Sequence, residues 1–439
     1  MWVYARSKAG GRRDDVDSRR SRGRDWREMG EEPRGRSFSA PHAAAVLVAW
    51  ALLVCATSAR AQSDSALPDP DAFQVHGFMS QGFIKTSNNN YLSESQRGAF
   101  DFTEIGLNLT KPLFEHMSVG VQAFARDLGP SGSFIPQINW AYLDYRFRDW
   151  LGVRAGRTKI PFGLYNEGSE ADSARVPILL PQSIYPIDNE DYLLAQTGGE
   201  IYGDVQLGTA GEIEYRAYGG TLQASTPAAA PGLTVANLNV PYVFGGRVMW
   251  SPPIDGFRVG ASYQSLRFDW DYDVASSLAM PLQMAGLLPA NLDGTVPTQF
   301  YVKLYVASAE YEFGDLLLSA EYSRWIGDID SSAPKLVSAH AVNERYYAMV
   351  SYRAARWFTP GAYYSVYLPD VHQTSGRENV QYDVAVTARY DITSHWLVKV
   401  EGHFMDGTAA LDSSLNGGWS LKTLTRDWGV FLFKTTAYF

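Results

Sequence analysis

Six carboxylates, Glu167, Glu170, Asp172, Asp188, Glu190 and Asp191, fall between residues 160 and 196, where Arg175 is the only basic residue. Just upstream, Arg126, Arg146 and Arg154 occupy polar positions of alternating segments, and Lys159 stands at the entrance to the acidic stretch. Carboxylates confronting cations across water make no and break no bonds. They set up a transverse field, which sorts solutes by charge and dipole. The chemistry these residues suit is selection.

Bond-making chemistry has less to work with. Of the histidines, His76 and His403 lie well inside strand-like segments, and His116, His340, His372 and His395 fall in turns, loops or at a strand edge. A nucleophilic serine needs a histidine oriented by a third group, and no Gly-x-Ser-x-Gly occurs. His403, two residues from Glu401 on the same strand face, reads as a hydrogen-bonded pair. The only cysteine is Cys55, no closely spaced histidine pair suits a transition metal, and no EF-hand spacing appears. Asn88 to Asn90 is a turn signal. No cofactor or metal is expected.

The elements that must hold the charged residues follow an unusual N-terminus. Ala43 to Ala59 is apolar, follows Arg34 and Arg36, and runs into Ala59-Arg60-Ala61, the small-x-small pattern of a signal-peptidase site. Cleavage after Ala61 leaves Gln62 as the first mature residue. The charged stretch before Arg34 is long for a signal, and Met29 offers a start of ordinary length. Cys55 falls inside the removed segment behind Val54, which is not small, so it does not suit acylation; the mature chain is cysteine-free. Residues 1–61 are therefore expected to be extension plus export signal, and 62–439 the folded protein. The whole chain has a net charge of -9; the first 61 residues hold twelve Lys/Arg and seven Asp/Glu, leaving 26 basic and 40 acidic residues in the remainder. That balance excludes nucleic acid as a partner.

The mature part is filled with short segments of period two, the pattern of strands with one apolar and one polar face. In 380–390, Val380, Tyr382, Val384, Val386, Ala388 and Tyr390 alternate with Gln381, Asp383, Thr387 and Arg389. In 396–404, Trp396, Val398, Val400 and Phe404 alternate with Lys399, Glu401 and His403. The spacing predicts sixteen strands, near 73–86, 98–110, 117–127, 137–147, 150–159, 197–206, 211–221, 242–250, 256–270, 298–312, 316–326, 344–353, 357–368, 379–390, 395–405 and 427–438. Joins after even-numbered strands are tight, as at Arg148-Asp149 and Phe313-Gly-Asp315, whereas 160–196, 222–241, 271–297 and 406–426 are long. Short turns at one end and long loops at the other fit an all-β, antiparallel transmembrane barrel with periplasmic turns and extracellular loops. Within lipid only edge-free sheets or helices satisfy the backbone. Tyr346, Trp357, Tyr367 and Trp396, near strand ends, suit interfacial aromatic girdles.

Three stretches carry resemblances. Phe431, Phe433, Thr435, Ala437 and Phe439 alternate to the last residue, which resembles the C-terminal signature by which the barrel-assembly machinery reads bacterial outer-membrane proteins. The acidic loop after the fifth strand resembles in position the loop that narrows the general porins. Arg154-Ala-Gly-Arg-Thr-Lys-Ile-Pro-Phe-Gly-Leu-Tyr165 is similar to the strand-to-loop segment of the phosphate-selective (O and P type) porins. These resemblances imply Sec export, residence in the bacterial outer membrane among its lipids, a homotrimer, and a water-filled pore constricted at 160–196. They do not imply phosphate selectivity, because the mature chain has only eight lysines. The expected function is passive diffusion of small hydrophilic solutes or ions. A channel specific for anions or oligosaccharides, an outer-membrane enzyme and an adhesin are the alternatives.

Overall fold

The computed structural model describes residues 73–129, 132, 134–187, 193–224, 233–292 and 294–439. The expected export signal, with Met29 and Ala61, lies outside them, as do Asp188, Glu190 and Asp191.

Sixteen antiparallel strands close into one barrel in sequence order. They are β1 (Gln74–Thr86), β2 (Thr103–Phe114), β3 (Met117–Asp127), β4 (Gln137–Arg148), β5 (Leu151–Lys159) and β6 (Ala195–Gln206). There follow β7 (Glu212–Thr221), β8 (Leu233–Ser251), β9 (Phe257–Val274), β10 (Thr295–Phe313) and β11 (Leu316–Ser331). The last are β12 (Ala339–Tyr352), β13 (Phe358–Leu368), β14 (Gln381–Thr393), β15 (Trp396–Gly407) and β16 (Asp427–Tyr438). The barrel shuts where β1 pairs with β16, from Phe78 opposite Tyr438 to Thr86 opposite Val430. Closure removes the free edges of the described sheet through its lower wall, so that its ladder groups find partners and the wall can stand in lipid. Among the described residues no helix is long and apolar enough to cross a membrane.

Alternation sorts the wall into two faces. On β14, Val384 and Val386 are exposed while Asp383, Ala385 and Thr387 are buried inside the barrel. On β16, Phe431 and Phe433 point out, and Leu432, Lys434 and Thr436 point in. Apolar side chains outward and polar ones inward is the arrangement lipid outside and water inside demand. Phe439 completes the last strand through two backbone hydrogen bonds with Gly77, each 3.0 Å. Its ring lies where a Gly77 Cβ would be, 2.7 Å from Phe439 Cζ. Trp357, Trp396 and Tyr346 are exposed on the outer surface, as girdle residues would be. Tyr367 is not, because the Arg345 guanidinium stacks 4.4 Å from its ring centroid and Arg345 is buried.

The strands β8 to β12 run further than the sequence pattern indicates. Residues 271–274, 327–331 and 339–343, read as loop, belong to β9, β11 and β12. There the alternation continues with its polarity reversed. Phe268, Trp270, Tyr272 and Val274 are buried, while Asp269, Asp271 and Asp273 lie on the other face. The buried aromatics join Val296, Val302, Ile329 and Val337 in an apolar cluster. These five strands rise beyond the lipid as a collar, and a short helix, α1 (Ser276–Met284), lies within the β9–β10 connection.

Candidate functional site: the inward loop and its seat

The β5–β6 connection leaves the wall at Ile160-Pro161-Phe162-Gly163. Gly163 has φ +61°, and a Cβ there would lie 2.4 Å from the Tyr185 hydroxyl, so glycine is needed on both counts. Its N–H donates to Ser262 Oγ at 3.1 Å and its carbonyl accepts from Arg247 at 3.1 Å. Two strands further round the wall, β8 and β9, thus receive the loop as it turns inward.

From there the loop bonds to inward-facing side chains around most of the barrel. Towards β10–β12 the seat is largely apolar. Ile160, Phe162, Leu180 and Ile184 pack into the cluster that contains Leu266, Leu304 and Trp325. Glu321 of β11 is buried in that wall and accepts from Ser308, Tyr347, Tyr185 and the Leu164 N–H. Burial and the facing Glu321 carboxylate push the Tyr185 hydroxyl well above its ordinary value. The Tyr165 hydroxyl, raised chiefly by burial, bonds Glu310 and Ser319.

Towards β14–β16 the seat is ionic. Lys399, fully buried, donates to Asp172 Oδ1 at 3.0 Å and to the Asp172 and Arg175 carbonyls at 2.6 and 2.8 Å. Lys434 lies 3.5 Å from Asp172 and donates to Glu104 at 2.6 Å. Thr436 donates to the second Asp172 oxygen at 2.7 Å. Burial pushes the Asp172 carboxyl up, but Lys399, Lys434 and Arg175 together outweigh it and hold it well below the carboxylate range. Glu401 accepts the Ile178 and Leu179 N–H groups at 2.7 and 3.0 Å. His403 bridges Glu401 and Asp383, at 2.9 and 3.0 Å. It orients a carboxylate that holds the loop backbone. Arg389 adds a donor to the Ser173 carbonyl at 2.6 Å.

The residues singled out in the sequence are only partly brought together. Lys159 pairs with Glu170, and Arg216 with Glu167, in direct contact. Glu167 also meets Arg247 at 2.9 Å. Arg154 is held between Asp144 at 2.8 Å and Glu200 at 3.2 Å. Arg126 is buried against Glu104 at 2.8 Å, on β2 and β3. Arg146 is not brought to the loop: it sits half-exposed by the short β4–β5 turn, paired to Asp204 at 3.0 Å. Glu170 and Asp172 are buried, so of the described loop acids Glu167 is the one that retains exposure. Acids and bases therefore meet by contact rather than across open water. Arg216, Arg247 and Lys434 escaped the sequence reading, and Lys399 figures in it only as a polar-face residue. Their inward parity was the available signal, since Lys399 and Lys434 each sit among apolar neighbours of opposite phase.

A closed sixteen-stranded wall with a loop seated inside it is a porin architecture, and the sequence agrees. A sequence model of the Gram-negative porin family matches residues 43–410. The chain belongs to the Gram-negative porin family. No curated protein matches this porin by sequence. Its fold is similar to that of OmpF from Salmonella typhi, described in complex with daunomycin, at TM-score 0.54 and 12% identity, covering 85% of this chain and 99% of that one. It is also similar to OmpT of Vibrio cholerae, at TM-score 0.53 and 9% identity over 85% and 99% of the two chains. The outer-membrane channel DcaP of Acinetobacter baumannii gives TM-score 0.52 and 10% identity over 84% and 97%. The porin is thus a passive channel of the bacterial outer membrane.

Proposed function

We propose that this porin passes small hydrophilic solutes through a lumen whose narrowest point is the inward loop, with a weak preference for cations. The observation that carries the reading is the loop's seat, in which backbone and side chains between residues 163 and 185 bond to strands on opposite walls. A loop tied at both walls narrows the path between them. The resemblance at 154–165 to the phosphate-selective porins does not extend to phosphate binding. Arg154 is occupied by Asp144 and Glu200, and Lys159 by Glu170, so these cations have carboxylate partners already. The expected homotrimer, the export route after cleavage at Ala61 and recognition of Phe439 by assembly machinery belong to the same reading.

Single-channel recording in planar bilayers tests it. Discrete conductance steps are expected, with a reversal potential under a salt gradient that reports modest cation preference. Glu167→Gln should reduce that preference, because Glu167 is the described loop acid still open to water. A reversal potential indifferent to this change would move the constriction elsewhere, and absence of steps under all salts would end the channel reading.

A further inference from the structure

Below the inward loop, on the short-turn side, the β1–β5 wall, with Arg216 of β7 and Tyr438 of β16, and the loop line an open cavity of about 520 Å³. Trp140 and Tyr142, alternate residues of β4, line it with rings stacked at 5.3 Å and 28°. The Arg154 guanidinium lies 5.2 Å from the Tyr142 centroid and 4.3 Å from that of Tyr202. The four side chains thus form a ladder across β4, β5 and β6. Glycines on neighbouring strands make room for it. A Cβ at Gly120 would stand 2.9 Å from Trp140, and one at Gly152 would stand 2.3 Å from Tyr202. Beside the stack are two amides; Gln122 donates to Asn108 at 2.7 Å and accepts from Asn139 at 3.2 Å. The Asn108 amide nitrogen has no partner among the described residues.

The charges around this cavity are paired. Arg154, Lys159 and Arg216 line it together with Glu167 and Glu170, and each of the cations is already in contact with a carboxylate. An anion would have to displace those partners, and a cation would meet three positive groups. An uncharged ligand with one apolar face and a rim of hydroxyls meets neither obstacle. Its C–H face suits the electron-rich faces of the rings, and its hydroxyls suit amides that both donate and accept. We propose that Trp140, Tyr142, Asn108 and Gln122 form a subsite for a pyranose ring of a neutral oligosaccharide in transit. The proposal rests on the pore reading above and deepens it by naming a solute class.

Maltotriose is the probe, with benzoate and spermidine as charged comparators, in bilayer recordings and in calorimetric titration of the detergent-solubilised protein. Maltotriose is expected to interrupt the current at millimolar concentration, with more frequent events when added on the short-turn side. Trp140→Ala should shorten the interruptions at least tenfold, while Trp140→Phe stays within about threefold. Asn108→Ala, a smaller change, should shorten them about threefold, and it serves should Trp140→Ala fail to assemble. Conductance with neither block nor calorimetric binding of maltotriose overturns the subsite and leaves the pore. Calorimetric binding weakened by Trp140→Ala in a protein without conductance supports the subsite and overturns the pore. Block by benzoate or spermidine alone, or maltotriose block indifferent to Trp140 and Asn108, also overturns the subsite.

Discussion

Strand β9 carries two environments on one backbone. Over its first half the outward positions are Phe257, Val259, Ala261 and Tyr263, and the inward ones include Arg258, Ser262 and Gln264. Over its second half the outward positions are Arg267, Asp269, Asp271 and Asp273, and the inward ones are Leu266, Phe268, Trp270, Tyr272 and Val274. The backbone does not change; the solvent does. Where lipid is outside, apolar residues belong outside and water-tolerant ones within. Where water is outside, burial of apolar surface drives the aromatics inward, as in a soluble sheet. The reversal near Ser265 marks where this strand leaves the membrane, and the two halves can be tested separately.

The collar should respond as a soluble core does. Trp270→Ala is expected to cost about 3–5 kcal/mol, the usual loss for a large buried aromatic. The urea midpoint, read from the gel shift between folded and unfolded forms, would report it. A negligible loss would mean that the collar aromatics are not a core. In the lipid zone the inward charges are held by pairing, and removing one partner leaves another buried. Lys399→Met should therefore cost about 3 kcal/mol and show as excess current noise from a loosened loop. Quiet channels in that variant would show that the apolar seat suffices. On the lipid face, Val386→Arg is expected to cost about 2–3 kcal/mol, by the same gel assay. The smallest effect belongs to the collar's outer face, where Asp271→Lys should change stability by less than about 0.5 kcal/mol. A loss comparable to that of Val386→Arg would place Asp271 against lipid and break the comparison.

Acid offers a graded version of the Lys399 test. The Asp172 carboxyl is held below its ordinary value of 3.8 by its cations, so its contribution to the seat is complete above that value. It is lost progressively as the pH falls beneath it. Current noise from the loop should thus be flat from neutral pH to about pH 4 and rise below that. A rise beginning near pH 6 would implicate a different group.

Much of the wall was legible from alternation, because lipid imposes one phase along each strand. The sixteen strands, the tight turns after even strands and the inward polarity of Lys399, Glu401 and His403 all follow from it. The collar was not legible, because a reader tracking a single phase loses the pattern beyond Ser265, where the phase inverts. The site was half legible. Acids at 167, 170 and 172 mark a loop, but nothing in their spacing tells which strands receive them. Arg216, Arg247, Lys399 and Lys434 reach the loop through closure of the barrel, which brings together residues far apart in the chain. Arg146 fails for the related reason that parity gives the side of the wall and not the height along it.

That separation has a consequence for assembly. Asp172 meets Lys399 and Thr436 across sequence separations of 227 and 264 residues, and long separations make contacts that form late. Since a ribosome works from the amino end, the loop exists long before its ionic seat has been synthesised. The seat becomes complete only when β16 closes against β1. The loop's ionic seat is therefore completed by barrel closure, and an open-ended intermediate would carry the loop as an untethered strap.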